Sequence, residues 1–128
     1  MNPREVILST GNKILLGKNA ENNDELIKKY EGKKNMILHT AKPGSPFCVI
    51  LSSAPSKKEI KEAASICASK SQDWRDNKKD VFVHLFDGKN IYKEKNMKIG
   101  TWGIKKKPKN IIIKKEEIKR LEKLKSEK

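Results

Sequence analysis

Two cysteines, two histidines and no long apolar run leave several chemistries without their usual material. Cys48 and Cys67 each sit among apolar neighbours. They read as buried free thiols in a reducing cytoplasm, favoured over a single disulfide between them. A zinc site would need more ligands than the chain brings together. No stretch approaches the length of a membrane-spanning helix. Met1-Asn2-Pro3-Arg4 leads straight into a mixed segment, which is not the pattern of a signal peptide. The expectation is a cytoplasmic protein with no membrane partner, no cofactor and no metal. Apolar residues are also sparse, at 35% of 128 residues, yet they cluster enough to pack one domain with a modest core.

What the chain does have is lysine. Thirty Lys and Arg stand against 16 Asp and Glu, a formal charge of +14. A general drift of surface positions to Lys explains part of this excess. A field of that size and sign favours nucleic acid, an anionic membrane or an acidic protein. It is also concentrated. From Lys105 to Lys128, 11 basic residues face four acidic ones, an excess of seven, half of the whole chain's.

The apolar pattern is mostly strand-like. Val6–Leu8 and Ile14–Leu16 flank the turn Ser9-Thr10-Gly11-Asn12. Asn19 or Asn22 then caps a helix that Gly32 ends. Ser56 and Glu59 have the spacing of a capping box, and Ile60, Ala63, Ala64, Cys67, Ala68 and Ser71 follow on one helical face. That helix is expected to run on to the cations Lys70 and Arg75. Residues 81–86 read as a strand apolar on both sides, and Asp87-Gly88 as a two-residue hairpin turn returning through Ile91 and Tyr92. Residues 100–104 and 111–113 read as two further strands, and 114–128 as a charged amphipathic helix with Ile118, Leu121 and Leu124 on its thin apolar stripe. The class is α+β, a single domain with a largely antiparallel sheet and two to three helices. Residues 1–113 form its body and residues 114–128 its basic carboxy-terminal helix.

The stretch from Ile37 to Leu51 organises this reading. Two apolar strands enclose Lys42-Pro43-Gly44-Ser45-Pro46, a turn stiffened at both ends. Pro43 fixes its own φ and keeps Lys42 out of the helical region, while Gly44 is free to take a positive φ. His39, Lys42 and Ser45 are expected to face outward and meet phosphate or a ribose 2′-hydroxyl. Gly17-Lys18-Asn19-Ala20 offers a second seat, where backbone N–H groups, the positive end of a helix and Lys18 converge, although Glu21, Asp24 and Glu25 oppose a phosphate there. Lys70 and Arg75 add cations near Trp74, and Trp74 and Trp102 are core or rim residues with faces that could stack on a base. Lys105-Lys106-Lys107-Pro108-Lys109 is a dense electrostatic footprint whose contacts would be blind to sequence and sensitive to salt.

These residues, taken in order, resemble the NFACT-R domain. The likeness rests on Gly17-Lys18-Asn19-Ala20 with Asn23-Asp24 and Leu26, on Leu38-His39 with Pro43-Gly44-Ser45, on Ala63-Ala64 through Ala68 to Lys70-Ser71, and on Tyr92-Lys93 and Gly100. It spans roughly residues 11–113 in five separated motifs. Ile37 stands where the family usually carries an aromatic residue, and Pro46 where it usually carries histidine. The resemblance implies a non-enzymatic RNA-binding module of the kind found in ribosome-quality-control proteins, here in solo form. RNA, as tRNA or rRNA, is the expected partner, with the ribosome or an RNA-modifying enzyme as a further one. The expected contacts are Lys18, Asn19, His39, Lys42, Gly44, Ser45, Lys70, Arg75, Lys93, Lys105, Lys106 and Lys107. Two other readings stay open: a protein-interaction adaptor that docks through an apolar patch, and an RNA-processing enzyme centred on His39, with Cys48 as its only nearby thiol.

Overall fold

A computed structural model describes residues 1–126. Eight strands and four α-helices follow one another as β1 (Arg4–Ile7), β2 (Lys13–Leu16), α1 (Ala20–Tyr30), β3 (Met36–Thr40), β4 (Cys48–Ile50), α2 (Lys57–Ser69), α3 (Gln72–Asn77), β5 (Val81–Asp87), β6 (Ile91–Tyr92), β7 (Gly103–Ile104), β8 (Lys109–Ile113) and α4 (Lys115–Ser126). Six strands form one sheet in the order β1-β2-β4-β3-β5-β8, and β6 and β7 make a separate short ribbon. Each described pairing is antiparallel. The fold is thus a single small α+β domain. Glu127 and Lys128, counted above in the basic tail, lie outside the described residues.

Strand alternation sorts the core into two layers. Ile14 and Leu16 of β2, Leu38 of β3, Cys48 and Ile50 of β4, Val81 and Val83 of β5 and Ile113 of β8 pack beneath Ala63, Ala64, Cys67 and Ala68 of α2 and Ile118 of α4. The small residues of α2 let that helix lie close to the sheet, as its spacing predicts. On the opposite face, Ile37, Val49 and Phe86 pack against Leu26 and Ile27 of α1, with Phe47 and Ile91 beside them. Leu124 is 55% exposed, so the apolar stripe of α4 seats the helix through Ile118 and Leu121.

The caps explain most boundaries. Asn19 accepts from Asn22 N at 2.8 Å and starts α1. Ser56 and Glu59 complete both halves of the capping box on α2. The Asp80 carboxylate accepts from Lys115 N at 2.9 Å and so caps α4 from a neighbouring loop.

Three local expectations are corrected. The long second helix stops at Ser69, and α3 begins afresh because Ser71 accepts from Trp74 N at 3.1 Å, making a new cap; the count becomes four helices. Asp87-Gly88 does not close a hairpin. Gly88 N donates to Asn35 O and its carbonyl accepts from Gly32 N, so its polar groups belong to the α1–β3 connection. Residues 88–90 form a 3₁₀ turn instead, and β6 leaves the main sheet to pair with β7. Finally, residues 100–102 are not strand. Gly100 has φ +84 and its amide donates to Asp24, which curls the segment onto α1.

One clamp gives a test of stability. The Glu59 carboxylate accepts from Ser56 N at 3.0 Å, Thr10 Oγ1 at 2.6 Å and Asn12 Nδ2, joining the β1–β2 turn to the start of α2. The Ser56 backbone donor, then the two side-chain donors, hold its pKa down at about 2 against an ordinary 4.5. A carboxyl depressed in the fold stabilises it above the unfolded value and loses that contribution as pH falls. Thermal midpoints measured from pH 5 to 2 are therefore expected to fall more steeply for the wild type than for Glu59→Gln. Parallel slopes would remove Glu59 as the cause.

Candidate nucleic-acid interface

A cleft of about 590 Å³ opens on the α1 side of the sheet. Its walls come from three parts of the chain. One is Gly17, Lys18, Asn19 and Ala20 at the start of α1; another is Pro43 to Phe47 of the turn; the third is Ile99 to Trp102 ahead of β7. His39, His84 and Phe86 form its floor, and Arg4 and Lys70 stand at its margins. Among the described residues no carboxylate lines it.

The walls are tied by named bonds. Asn23 Oδ1 accepts from Phe47 N at 3.0 Å, and Gly17 N donates to Phe47 O at 3.1 Å, so the turn is stitched to both ends of the α1 approach. Asn22 Oδ1 accepts from Lys18 N at 2.9 Å. The third wall hangs on one atom. Asp24 Oδ1 accepts from Gly100 N at 2.9 Å, Trp102 Nε1 at 2.9 Å and Lys93 Nζ at 3.3 Å. Lys93 also donates to the carbonyls of Lys98 and Thr101, both at 2.7 Å, and its ammonium lies 5.5 Å from the Trp102 ring centre.

The turn is built as its residues predict, but its polar groups point differently. Gly44 has φ +93, and a side chain there would also strike Gln72. Ser45 is buried, contrary to its expected outward pose, because its Oγ accepts from Thr40 N at 3.1 Å and braces the turn from inside. Lys42 remains exposed but outside the cleft, 3.5 Å from Asp73. His39 points into the cleft, stacked on Phe47 at 4.3 Å between ring centres. Burial, more than any other influence, lowers its pKa to about 4, so at neutral pH it is an uncharged ring and not a phosphate-binding cation.

The twelve expected contacts therefore separate. Lys18, Asn19, His39, Gly44, Ser45 and Lys70 line one cleft. Lys93 is a clamp behind its wall. Arg75, 3.7 Å from Asp76, lies away on α3. Lys105, Lys106 and Lys107 are exposed on the loop that leaves the cleft at Ile104. Arg4, Phe47, His84 and Trp102 complete the site. Of these, Trp102 is named from the sequence as a stacking candidate, whereas His84 is placed only by the pairing of β5 with β3, which sets it opposite His39. Trp74 is core, with the Lys78 ammonium 4.8 Å from its ring centre.

A nucleophile–base pair of Cys48 and His39 does not fit this geometry. Cys48 packs on the α2 side of the sheet and His39 faces the other side. Burial also raises the Cys48 thiol well above its ordinary range and Cys67 to about 12, leaving both protonated. Among the described residues no His, Cys, Asp and Glu cluster could hold a metal ion, and no helix is long and apolar enough to cross a membrane.

No curated protein matches the chain. The solved C-terminal structure of the fibronectin/fibrinogen-binding protein from Streptococcus suis is similar at 25% identity and TM-score 0.80, over 94% of this chain and 49% of that one. The chain thus spans about half the length of that structure. The model of the NFACT protein RNA binding domain matches residues 5–106, which include all three walls of the cleft. A match over that much of the sequence places the chain in the NFACT RNA-binding domain family.

Proposed function

We propose that this chain holds tRNA or rRNA through phosphate and shape, as a non-catalytic module in translation quality control or RNA processing. The observation that carries this reading is the lining of the cleft. Arg4, Lys18 and Lys70 border it, aromatic rings floor it, and no carboxylate among the described residues opposes an anion there. Phosphate contacts fix register without reading sequence, and partly enclosed aromatic walls suit an unstacked nucleotide. The basic loop beyond Ile104 extends the same field, and α4, seated on α2 through Ile118, belongs to the same binding unit.

Titration of total tRNA against duplex DNA of matched length, at several salt concentrations, tests the reading. Tighter binding to tRNA is expected. Replacing Lys105, Lys106 and Lys107 together by alanine should weaken binding and flatten the dependence of log K on log salt by about two, if each lysine meets one phosphate. Equal binding to both nucleic acids would reduce the chain to an unspecific polycation. Absence of binding near physiological salt would overturn the proposal.

A further inference from the structure

Beyond the cleft, one face of the sheet is left uncovered. Val81 and Val83 of β5 point toward α2, so Phe82 points the other way, on the same face as His84 and Phe86. α1 covers that face where Ile37, Val49 and Phe86 lie but leaves the Phe82 end of β5 and Ile112 of β8 open. There Phe82 is 51% exposed and its cross-strand partner Ile112 is 41% exposed. His84, the next residue along this face, lines the cleft. The ring of Phe82 therefore begins one pleat repeat from the cleft, about 7 Å along the strand.

We propose that Phe82 is a stacking platform for an unpaired base of the bound RNA, continuous with the cleft, and that the ligand is therefore a single-stranded segment. This rests on the RNA-binding reading above and narrows it. Singly exposed apolar residues are common and need no explanation. Here two lie opposite each other on an open sheet face that runs into a cation-lined cleft. The charge flanks β8. This strand is preceded by the exposed Lys105–Lys107 and followed by Lys114, whose ammonium is 3.5 Å from Asp80; Lys109, in register with Leu85, belongs to the α2 side of the sheet. A strand laid across β5 and β8 would set its phosphates among these lysines and a base on the ring. A duplex could use the lysines alone, because its bases are stacked inside and offer no free face. A protein partner could bury the apolar pair but would have to be acidic to gain from the net charge of +14.

The test is fluorescence anisotropy with a labelled, unstructured ten-nucleotide RNA, free and annealed to its complement. Four proteins are compared: the wild type, Phe82→Ala, Phe82→Leu and Phe82→Trp. Phe82 is half exposed, so thermal melts are expected to show each variant folded. Stacking predicts tighter binding of the free strand, about tenfold weaker binding with Ala and with Leu, and near wild-type binding with Trp. Duplex binding should not change across the series. If Leu binds as well as Phe, the ring is not used for stacking and the proposal fails. Unchanged single-strand affinity in Phe82→Ala, with weakening by the triple lysine change, would overturn the platform while leaving the RNA-binding reading in place. No binding of either RNA by the wild type would overturn that reading as well. Loss of self-association in Phe82→Ala during sedimentation, with RNA affinity unchanged, would assign the patch to a second copy of the chain instead.

Discussion

Replacing Asp24 by alanine is expected to lower stability by about 2–4 kcal/mol and to weaken RNA binding about tenfold. A single carboxylate oxygen accepts from Gly100 N, Trp102 Nε1 and Lys93 Nζ. The three donors lie within residues 93–102, between β6 and β7, a stretch with no helix or strand of its own. Without Asp24 the backbone donor and the indole donor lose their acceptor in a half-buried place, and the ammonium keeps only its two carbonyls. The wall formed by Ile99 to Trp102 is then free to move off the cleft, which couples the stability loss to affinity. Asp24→Asn separates charge from geometry. An amide oxygen can still accept from one or two of the donors but does not attract the ammonium, so its loss should be intermediate. Urea midpoints and RNA titrations on the three proteins check this. Lower stability with unchanged affinity would show that the wall takes no part in binding.

How much of this was legible beforehand depends on whether a residue acts through its neighbours in sequence. Asn19, Ser56 with Glu59 and Gly32 mark helix ends because capping is local, and the structure places α1 and α2 where those residues predict. The stiff turn was equally legible in its backbone: Gly44 takes the positive φ that Pro43 and Pro46 frame. The direction of its side chains was not. Ser45 turns inward to meet Thr40 N, a bond that exists only once β3 and β4 pair. Alternation with Leu38 puts His39 off the core layer, yet its low pKa needs Phe47 and the cleft walls, which arrive from other elements. Lys93 shows the same limit more sharply. The sequence marks it as an expected RNA contact; its partner Asp24 lies 69 residues away, and only the folded chain reveals it as a clamp. Asp87-Gly88 misleads for a related reason, since a favourable local hairpin signal is overridden by hydrogen bonds from Gly88 to the α1–β3 loop.

Gly17→Ala is expected to be at least as damaging as the loss of Asp24, for a reason visible in one contact. A β-carbon on Gly17 would stand 1.8 Å from Asn23 Oδ1 and 2.7 Å from Asn23 Cγ, with the Asn23 backbone 3.1 Å away. The Gly17 backbone is not in the left-handed region, so the requirement is for space and not for conformation. Asn23 cannot simply rotate aside, because its Oδ1 is the acceptor for Phe47 N. Expelling it leaves that buried amide without a partner and presses against the Gly17–Phe47 bond beside it. Overpacking and an orphaned buried donor together predict a loss of about 3 kcal/mol or more. The same shift moves the turn relative to the start of α1, the two walls that hold Lys18 and the His39–Phe47 stack. Affinity for RNA should therefore fall even at temperatures where the variant is fully folded. Adding Asn23→Ala to Gly17→Ala makes the distinction. The second change removes the obstructing atoms but not the need of Phe47 N for an acceptor. If the double variant regains stability without regaining affinity, the bond from Asn23 positions the cleft; if it regains both, the clash alone was responsible and the bond to Phe47 is dispensable.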